Sequence, residues 1–427
     1  MNKFLLFYIC FLLASCTACK EKPIEPFQYK TEMDSLYYRN GILMQIPYKW
    51  RTPISDEYYK RGYIDQPTYY NNAALSCLTF DGKIHYAMLD AANGEKQWMS
   101  CLSEPYIYYE NALLNFSPFY HDNETVIYSY DDVMYNLDLR TGTHVWEITH
   151  PEVRSWASFY PRITGIDSVF FIAACQASIP HRVANAMFRG NKATGELEKL
   201  FIVEQFDSIY SEAIDITLSF PAKINDTVYL MCGYEFQGDG RMGLFNTETK
   251  TWVYKDIDTP GHGFMASHYV EGDKCYVSMA GATMLQMDIM TGEILWENLL
   301  DSFISNVVIV GDYIMCAQPE FCSDPELCPE SGRYAAVNKH TGETVWVRTD
   351  ISSVSVNYYL QELNGVVYHT NGLLVAVDAE TGEIFWELKP NDGGRFSDYT
   401  VVPGVNGKKG RVIARSERYA YCYEAVR

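Results

Sequence analysis

The chain has 427 residues, of which 48% are hydrophobic and 21% charged, so it can bury a large core and is too apolar to be disordered as a whole. Its 34 basic and 54 acidic side chains give a formal net charge of −20. That charge repels nucleic-acid phosphates and disfavours direct binding to an anionic membrane surface. We therefore expect a folded protein that binds no nucleic acid.

The N-terminus predicts export. Lys3 precedes an apolar run at 4–14, which is too short to span a bilayer but has the length of a signal-peptide core. The run ends in a Leu-Ala-Ser-Cys sequence that resembles a bacterial lipobox, and its cysteine is Cys16. We expect a lipoprotein signal peptide at 1–15 and a lipid on Cys16. An ordinary secretory signal and attachment at Cys19 are the alternatives.

The segment that follows is polar. Residues 16–39 contain Pro23 and Pro26, which is typical of a tether between a lipid and a domain. We expect localisation at the outer membrane through the lipid anchor, on its periplasmic face or at the cell surface. The domain itself is expected at 40–427.

The body of the chain repeats one phrase seven times. Each copy has Asp or Asn, then Asn or Thr three residues later, usually followed by Gly, and usually Trp four residues after that position. The copies are 90–98, 138–146, 191–199, 246–254, 288–296, 338–346 and 378–386. Their ends lie 40 to 55 residues apart, which matches one four-stranded propeller blade per copy.

Each part of the phrase has a mechanical reason. Alternating apolar residues precede and follow it, so the phrase is a hairpin turn between two strands. Glycine supplies a positive φ, and Asp or Asn bonds to the nearby backbone. A large flat side chain at one depth of each outer strand can cover the gap between blades. The docking tryptophans predicted from the phrase are Trp98, Trp146, Trp296, Trp346 and Trp386.

Three positions depart from this pattern. Lys199 and Tyr254 stand in the tryptophan position, and Lys250 stands in a glycine position. Trp252 lies two residues before Tyr254, so in a regular strand it faces the same side. We therefore predict that Trp252 can replace the missing docking tryptophan.

The ends of the domain predict the blade number. Three strand-like runs follow the last phrase, at 399–402, 411–415 and 419–423, so one outer strand is missing. The segment 42–50 supplies an unclaimed strand that ends in Trp50, 48 residues before Trp98. The predicted fold class is all-β, an eight-bladed propeller of four-stranded antiparallel blades whose last blade is closed by an N-terminal strand. Pro47 fits only at an outer edge.

The phrase resembles the tryptophan-docking repeat of quinoprotein-type eight-bladed propellers over nearly all of the mature chain. That family includes dehydrogenases that carry pyrroloquinoline quinone and cofactor-free scaffolds of the BamB type. The resemblance to the enzymes implies adjacent cysteines and calcium ligands, but the sequence has no Cys-Cys pair. Candidate acidic segments at 131–132, Asp239 and 392–398 lack EF-hand spacing. We expect no catalysis, no cofactor and no metal, with a quinone-dependent dehydrogenase or a glycan-active propeller as the alternative.

Irregular segments supply the candidate binding sites. The longest are 58–70, which is rich in tyrosine, 176–185, and the proline-rich 318–333. They predict contact with an envelope or outer-membrane protein, and tyrosine also allows a glycan. Within 318–333 we predict a disulfide between Cys322 and Cys328, the alternatives being free thiols or pairing of either with Cys316.

Overall fold

The structure is a computed structural model. It describes residues 34–39, 42–55, 68–80, 83–101, 119–122, 124–130, 133–156, 163–176, 184–203, 215–236, 239–259, 265–279, 283–300, 306–318, 331–352, 360–370, 372–392 and 394–427. The regular elements in these ranges are 35 β-strands. Over the same ranges, no helix is both long and apolar enough to cross a membrane.

The strands form eight sheets, which we number as blades in chain order. Three N-terminal strands precede blade 1, namely β1 (Asp34–Arg39), β2 (Ile42–Pro47) and β3 (Trp50–Pro53). Blade 1 contains β4 (Tyr69–Tyr70), β5 (Ala73–Phe80), β6 (Lys83–Asp90) and β7 (Lys96–Cys101). Blade 2 contains β8 (Phe119–His121), β9 (Thr125–Tyr130), β10 (Val133–Asp138) and β11 (His144–Thr149). Blade 3 contains β12 (Val153–Trp156), β13 (Thr164–Ile166), β14 (Val169–Gln176), β15 (Ala184–Asn191) and β16 (Leu197–Ile202).

The second half repeats the pattern. Blade 4 contains β17 (Asp215–Ile224), β18 (Thr227–Phe236), β19 (Asp239–Asn246) and β20 (Thr251–Asp258). Blade 5 contains β21 (Met265–Glu271), β22 (Lys274–Met279), β23 (Thr283–Asp288) and β24 (Ile294–Leu299). Blade 6 contains β25 (Asn306–Val310), β26 (Tyr313–Gln318), β27 (Ser331–Asn338) and β28 (Thr344–Ser352). Blade 7 contains β29 (Gln361–Leu363), β30 (Val366–Thr370), β31 (Leu374–Asp378) and β32 (Ile384–Lys389), and blade 8 contains β33 (Asp398–Val402), β34 (Arg411–Arg415) and β35 (Tyr419–Glu424).

The blades are arranged in a ring. Within each blade, strands that follow one another are paired antiparallel, except that β12 and β13 both pair with β14. First strands of neighbouring blades contact each other, as β17 contacts β21 and β33 contacts β4, so they line the centre. The structure confirms the predicted eight-bladed all-β propeller.

An N-terminal strand closes the ring, as predicted. β3 pairs with β35, with Trp50 opposite Cys422 and Pro53 opposite Tyr419. The closing strand is shorter than the predicted segment, because the chain bends at Lys49 and reaches β35 only from that residue onwards, where the Lys49 N–H donates to the carbonyl oxygen of Cys422 at 2.7 Å. The preceding strands extend blade 7 instead, in the order β2, β1, β32. Pro47 ends β2 at the edge of that sheet, where its missing N–H costs no ladder bond.

The ring has two different faces. On one, which we call the turn face, each first strand turns into the second and each third strand into the fourth. The turns there are short, as at 225–226 between β17 and β18 and at 272–273 between β21 and β22. On the opposite loop face, connections run as long as 102–118 and 319–330.

The apolar core lies between the blades. One cluster joins Trp50 and Ile413 of blade 8 to Ala87 and Leu89 of blade 1. Described thiols are part of this core, and the buried ones are Cys77, Cys175, Cys232, Cys275, Cys316 and Cys422. Burial raises the pKa of the Cys316 thiol to about 12, which leaves it a small apolar side chain rather than a nucleophile.

Candidate functional site

Five of the junctions between neighbouring blades are each held by one indole. The Nε1 atom of Trp98 donates a hydrogen bond of 2.8 Å to the carbonyl oxygen of Leu139, which follows the first residue of the next phrase. The equivalent bonds run from Trp50 to Ala91, from Trp146 to Lys192, from Trp296 to Lys339 and from Trp346 to Ala379, at 2.8 to 3.1 Å. The phrase is therefore a joint in which the turn of one blade receives the tryptophan of the blade before it.

The glycine of each turn completes the joint. A Cβ atom built on Gly142 would lie 2.4 Å from Cε3 of Trp98, and one on Gly342 would lie 2.7 Å from the Trp296 ring. The backbone at Gly142 has φ of +69°, which glycine adopts without steric cost. The sequence indicated the need for positive φ but not that the indole lies on the glycine. Tryptophan and glycine thus act as a pair across the junction.

A β-bulge orients the docking side chain. In blade 1, Leu89 pairs with Lys96 and Met88 with Trp98, which leaves Gln97 without an opposite residue. The same irregularity precedes the docking position in blades 2, 4, 5, 6 and 7. The extra residue is turned outward, so Val145 and Leu295 are 52% and 41% exposed.

The prediction for Trp252 is wrong because of that bulge. In blade 4, Phe245 pairs with Trp252 and Leu244 with Tyr254, so the two aromatic rings lie on opposite faces of the sheet. Trp252 packs against Phe201 and Phe245, on the side of blade 3. Tyr254 takes the docking position instead, and its hydroxyl donates a 2.8 Å bond to the carbonyl oxygen of Ile289 in blade 5.

The junction between blades 3 and 4 is held by charges. In blade 3 the irregularity falls after Lys199 rather than before it, so Glu198 pairs with Arg189. Glu198 accepts hydrogen bonds from both Arg189 and Lys250, and Arg189 reaches the carbonyl oxygen of Thr247 at 3.4 Å. Lys250 occupies the glycine position with φ of +56°. We call Arg189, Glu198 and Lys250 the charged seam; the missing tryptophan and the missing glycine belong to this one junction.

The electrostatics of the seam follow from its geometry. The hydrogen bond from Lys250 lowers the pKa of the Glu198 carboxyl group below its ordinary value, and Arg189 adds to the effect. Lys199 points elsewhere and pairs with Glu152. No indole lies on Lys250, so exposed ion pairs stand where the other joints have a tryptophan on a glycine. Apolar packing across this junction comes instead from Phe201 and Trp252.

The last blade closes without a phrase of its own. Trp386 of blade 7 is 6% exposed, and the centre of its ring lies 5.9 Å from the centre of the Tyr368 ring. The backbone N–H of Val426 donates to the Tyr368 hydroxyl at 2.8 Å, and Arg427 pairs with Asp378 at 2.6 Å. The C-terminal residues therefore contact blade 7 where a turn phrase stands in the other blades.

A buried arginine joins blade 8 to blade 1. Arg415 is 1% exposed, and its Nε donates to the Ser76 hydroxyl at 2.9 Å. It also pairs with Asp398 and donates to the Thr400 hydroxyl and to the carbonyl oxygen of Leu75. Sequence analysis missed this group, because only its place at the end of an apolar strand could have indicated burial.

Several predicted residues lie outside the described part of the chain. These are Cys16, Cys322 and Cys328, the acidic pair at 131–132, and most of the segments 58–70, 176–185 and 318–333. In the described part, Asp392 accepts bonds from Gly394 N and the Ser416 hydroxyl, and Asp398 pairs with Arg415. Among the described residues, no group of three His, Cys, Asp or Glu side chains is placed to hold a metal ion.

Several known proteins are similar to this chain. Residues 239–427 match a family model described as outer membrane protein assembly factor BamB. The crystal structure of BamB from Moraxella catarrhalis is similar, with a TM-score of 0.54 and 15% identity over 88% of this chain and 98% of that one. Quinohemoprotein alcohol dehydrogenase ADHIIG from Pseudomonas putida HK5 is also similar, with a TM-score of 0.56 and 12% identity over 89% of this chain and 76% of that one. The crystal structure of the computationally designed Ika8 protein is similar with a TM-score of 0.58 and 13% identity, over 87% of this chain and 99% of that one.

No curated protein sequence matches this one. The likenesses to solved structures, all at low identity, show the fold, and the family match runs from β19 in blade 4 to residue 427, which is less than half of the chain. The chain is therefore an eight-bladed propeller whose part from 239 to 427 is similar to BamB.

Proposed function

We propose that the chain is a non-catalytic protein-binding scaffold in the cell envelope, held at the outer membrane by a lipid on Cys16. The observation that carries the proposal is the contrast between the two faces of the ring. Apart from 403–410 in blade 8, the turns on the turn face are short, whereas the longest connections, such as 102–118 and 319–330, join strand ends on the loop face. A rigid body with long loops on one side is the usual design of a binding platform.

Hydrogen bonds between neighbouring turns of the turn face support the proposal of a rigid platform. In blade 5 the backbone N–H of Ile289 donates to the carbonyl oxygen of Asp273 at 2.9 Å, which ties the two turns of the blade together. Blade 6 has the same bond between Lys339 and Asp312. Changes in the loops on the opposite face therefore leave the turns and joints intact.

The direction of β1 bears on which face meets a membrane partner. β1 runs antiparallel to β32, and Leu36 lies opposite Lys389 at the loop-face end of blade 7. The polypeptide thus enters the ring at its loop-face end. A lipid on Cys16 would keep the loop face within reach of a protein embedded in the outer membrane. The matched family's name suggests a partner in outer membrane protein assembly.

A quinone-dependent dehydrogenase is the second candidate. Its support is the likeness to the alcohol dehydrogenase, which extends to the fold alone. The described residues favour the scaffold, because their thiols are buried and the acidic segment at 392–398 is engaged by protein donors.

Crosslinking and pull-down from native membranes tests the proposal. A chain shortened within 319–330 should lose a co-purified envelope protein while its melting temperature stays within about 2 °C, because loops contribute little to global stability. Asp226→Asn in a turn of the opposite face is the matched control and should retain the partner. Stoichiometric uptake of quinone with calcium, together with dye-linked oxidation of an alcohol or sugar, would contradict the scaffold.

The anchor has its own test. Cys16→Ala should abolish labelling with a fatty acid and release the protein into the soluble envelope fraction. Continued acylation of this variant would place the lipid elsewhere, with Cys19→Ala as the next variant to examine.

A further inference from the structure

Blade 8 carries a charge opposite to that of the whole protein. The segments 48–55 and 394–427, which form this blade and its ends, contain nine basic and three acidic side chains, although the chain as a whole has a net charge of −20. The two segments lie at opposite ends of the sequence. Seven of the nine basic side chains already lie in 394–427, and the pairing of β3 with β35 adds Lys49 and Arg51 to them.

One group of basic side chains lies at the turn-face end of the blade. Lys49 and Arg411 lie 3.1 and 3.6 Å from the same Glu424 oxygen, and the charge of Lys409 also acts on this carboxylate. A single acid is thus shared by three bases. Net positive charge remains at this end.

The turn at this end differs from those of the other blades. The connection between β33 and β34 runs from 403 to 410, whereas 225–226 and 272–273 suffice in blades 4 and 5. Asn406 and Gly407 have φ of +55° and +73°, and the backbone of Lys408 bonds to Val405. This tight hairpin holds Lys408 and the 55% exposed Val405 in solvent.

A second group lies at the loop-face end. The guanidinium groups of Arg51 and Arg418 lie 4.8 and 5.8 Å from the centre of the Tyr419 ring. Arg395 is exposed on the connection that leads into β33. An aromatic ring beside two guanidinium groups is suited to an interface where water meets phosphate head groups.

We propose that blade 8 is the side of the ring that binds an anionic lipid surface. This rests on the proposed lipid anchor in one respect: residue 34 begins β1, which pairs with the outer strand β32 of blade 7, the neighbour of blade 8. A lipid on Cys16 would bring blade 8 near the membrane. One lipid group plus a basic patch is a common means of durable attachment.

The acidity of the whole protein does not oppose this contact. At physiological ionic strength the Debye length is about 8 Å, so charges on distant blades are screened from the bilayer. Only the blade that touches the surface sets the sign of the interaction. The repulsion expected from the net charge therefore does not extend to this side of the ring.

Vesicle binding by the unlipidated mature chain tests the proposal. The probe is a vesicle of phosphatidylethanolamine and phosphatidylglycerol, compared with one of phosphatidylcholine, in 0.15 M salt. The protein should sediment with the anionic vesicles. Arg395→Gln with Arg418→Gln, and Lys408→Gln with Lys409→Gln, should each lower the partition coefficient by about tenfold or more, at an unchanged melting temperature.

The control pair is Arg140→Gln with Lys255→Gln, which removes the same charge from exposed sites on blades 2 and 4. It should leave the partition coefficient within about twofold. Equal binding to neutral vesicles, an equal loss in the control pair, or binding of blade 8 to acidic proteins but not to vesicles would overturn the proposal. Because the chain tested carries no lipid, its failure is separate from any failure of acylation at Cys16 or of the scaffold role.

Discussion

The junction between blades 5 and 6 and the junction between blades 3 and 4 solve the same problem in different ways. In the first, Trp296 lies on Gly342 and bonds to Lys339. In the second, Glu198 faces Lys250, and no indole lies on the turn. At the turn, one joint has a flat apolar contact that excludes water, and the other has exposed charges.

The difference shows that the joint is a property of two blades together. Lys199 and Lys250 are separate departures when the sequence is read phrase by phrase, but both concern the joint between blades 3 and 4. Lys199 pairs with Glu152, and its neighbour Glu198 faces Lys250 instead. A glycine stands where a docking ring, an indole or the Tyr254 phenol, must lie on the turn. Without the indole, the turn accepts lysine despite its positive φ.

Removing an indole should have the largest effect. Trp98→Ala deletes the ring on Gly142 and the bond to Leu139, so we expect the free energy of unfolding to fall by about 3 kcal/mol. Lys199→Ala, at the equivalent sequence position of blade 3, should change it by less than about 0.5 kcal/mol. Urea denaturation of both variants measures the difference, and similar losses would show that the joints are not distinct.

A methyl group on the glycine of a joint should have the second largest effect on stability. Gly142→Ala is expected to cost about 2 to 3 kcal/mol, because it combines backbone strain with displacement of the Trp98 ring. Gly272→Ala is the matched control; its φ is +62° and a Cβ there would meet nothing within 4 Å. The control should cost only about 1 kcal/mol of strain. Equal costs in the two denaturation curves would mean that the ring contact does not matter.

Removing one hydroxyl from a joint should have a smaller effect. Tyr254→Phe retains the ring but leaves the carbonyl oxygen of Ile289 without its donor, so a loss of about 1 kcal/mol is expected. The control is Tyr269→Phe on a residue that is 41% exposed, for which the expected change is near zero. The same denaturation assay applies, and an unchanged midpoint for Tyr254→Phe would contradict a docking role.

The smallest effect is expected from acid on the charged seam. The pKa of Glu198 is lowered in the folded state, so its contribution is present above the ordinary glutamate pKa and is lost as the pH falls through the lowered value. Amide exchange in β16 and at 247–250, corrected for its intrinsic pH dependence, should rise between pH 6 and pH 3.5 more than in β24 and at 339–342. Glu198→Gln should remove this excess. A uniform rise across all junctions would contradict a local cause.

Much of the fold was accessible from the sequence because the phrase repeats. Asp138 illustrates the turn chemistry, since one of its carboxylate oxygens accepts bonds of 2.8 Å from the backbone of both Arg140 and Thr141. The split blade followed from counting strands. The joint itself was predicted only as a covering side chain, because its partners lie on different blades.

Bulges and long-range charges escaped prediction for a physical reason. A bulge changes which face a side chain takes, and nothing in the residues around Val253 distinguishes that outcome from a regular strand. The contacts of Arg415 and part of the basic character of blade 8 depend on the pairing of the two chain ends. These features arise from tertiary contacts rather than from local spacing.

The central claim is that tryptophan and glycine form one unit across a junction, and a double-mutant cycle on Trp98 and Gly142 tests it most directly. With the indole removed, Gly142→Ala should cost only its backbone strain, about 1 kcal/mol, as at Gly272. We expect a coupling energy of about 1 to 2 kcal/mol between the two substitutions. Additive effects, with Gly142→Ala equally costly in the presence and absence of Trp98, would contradict it.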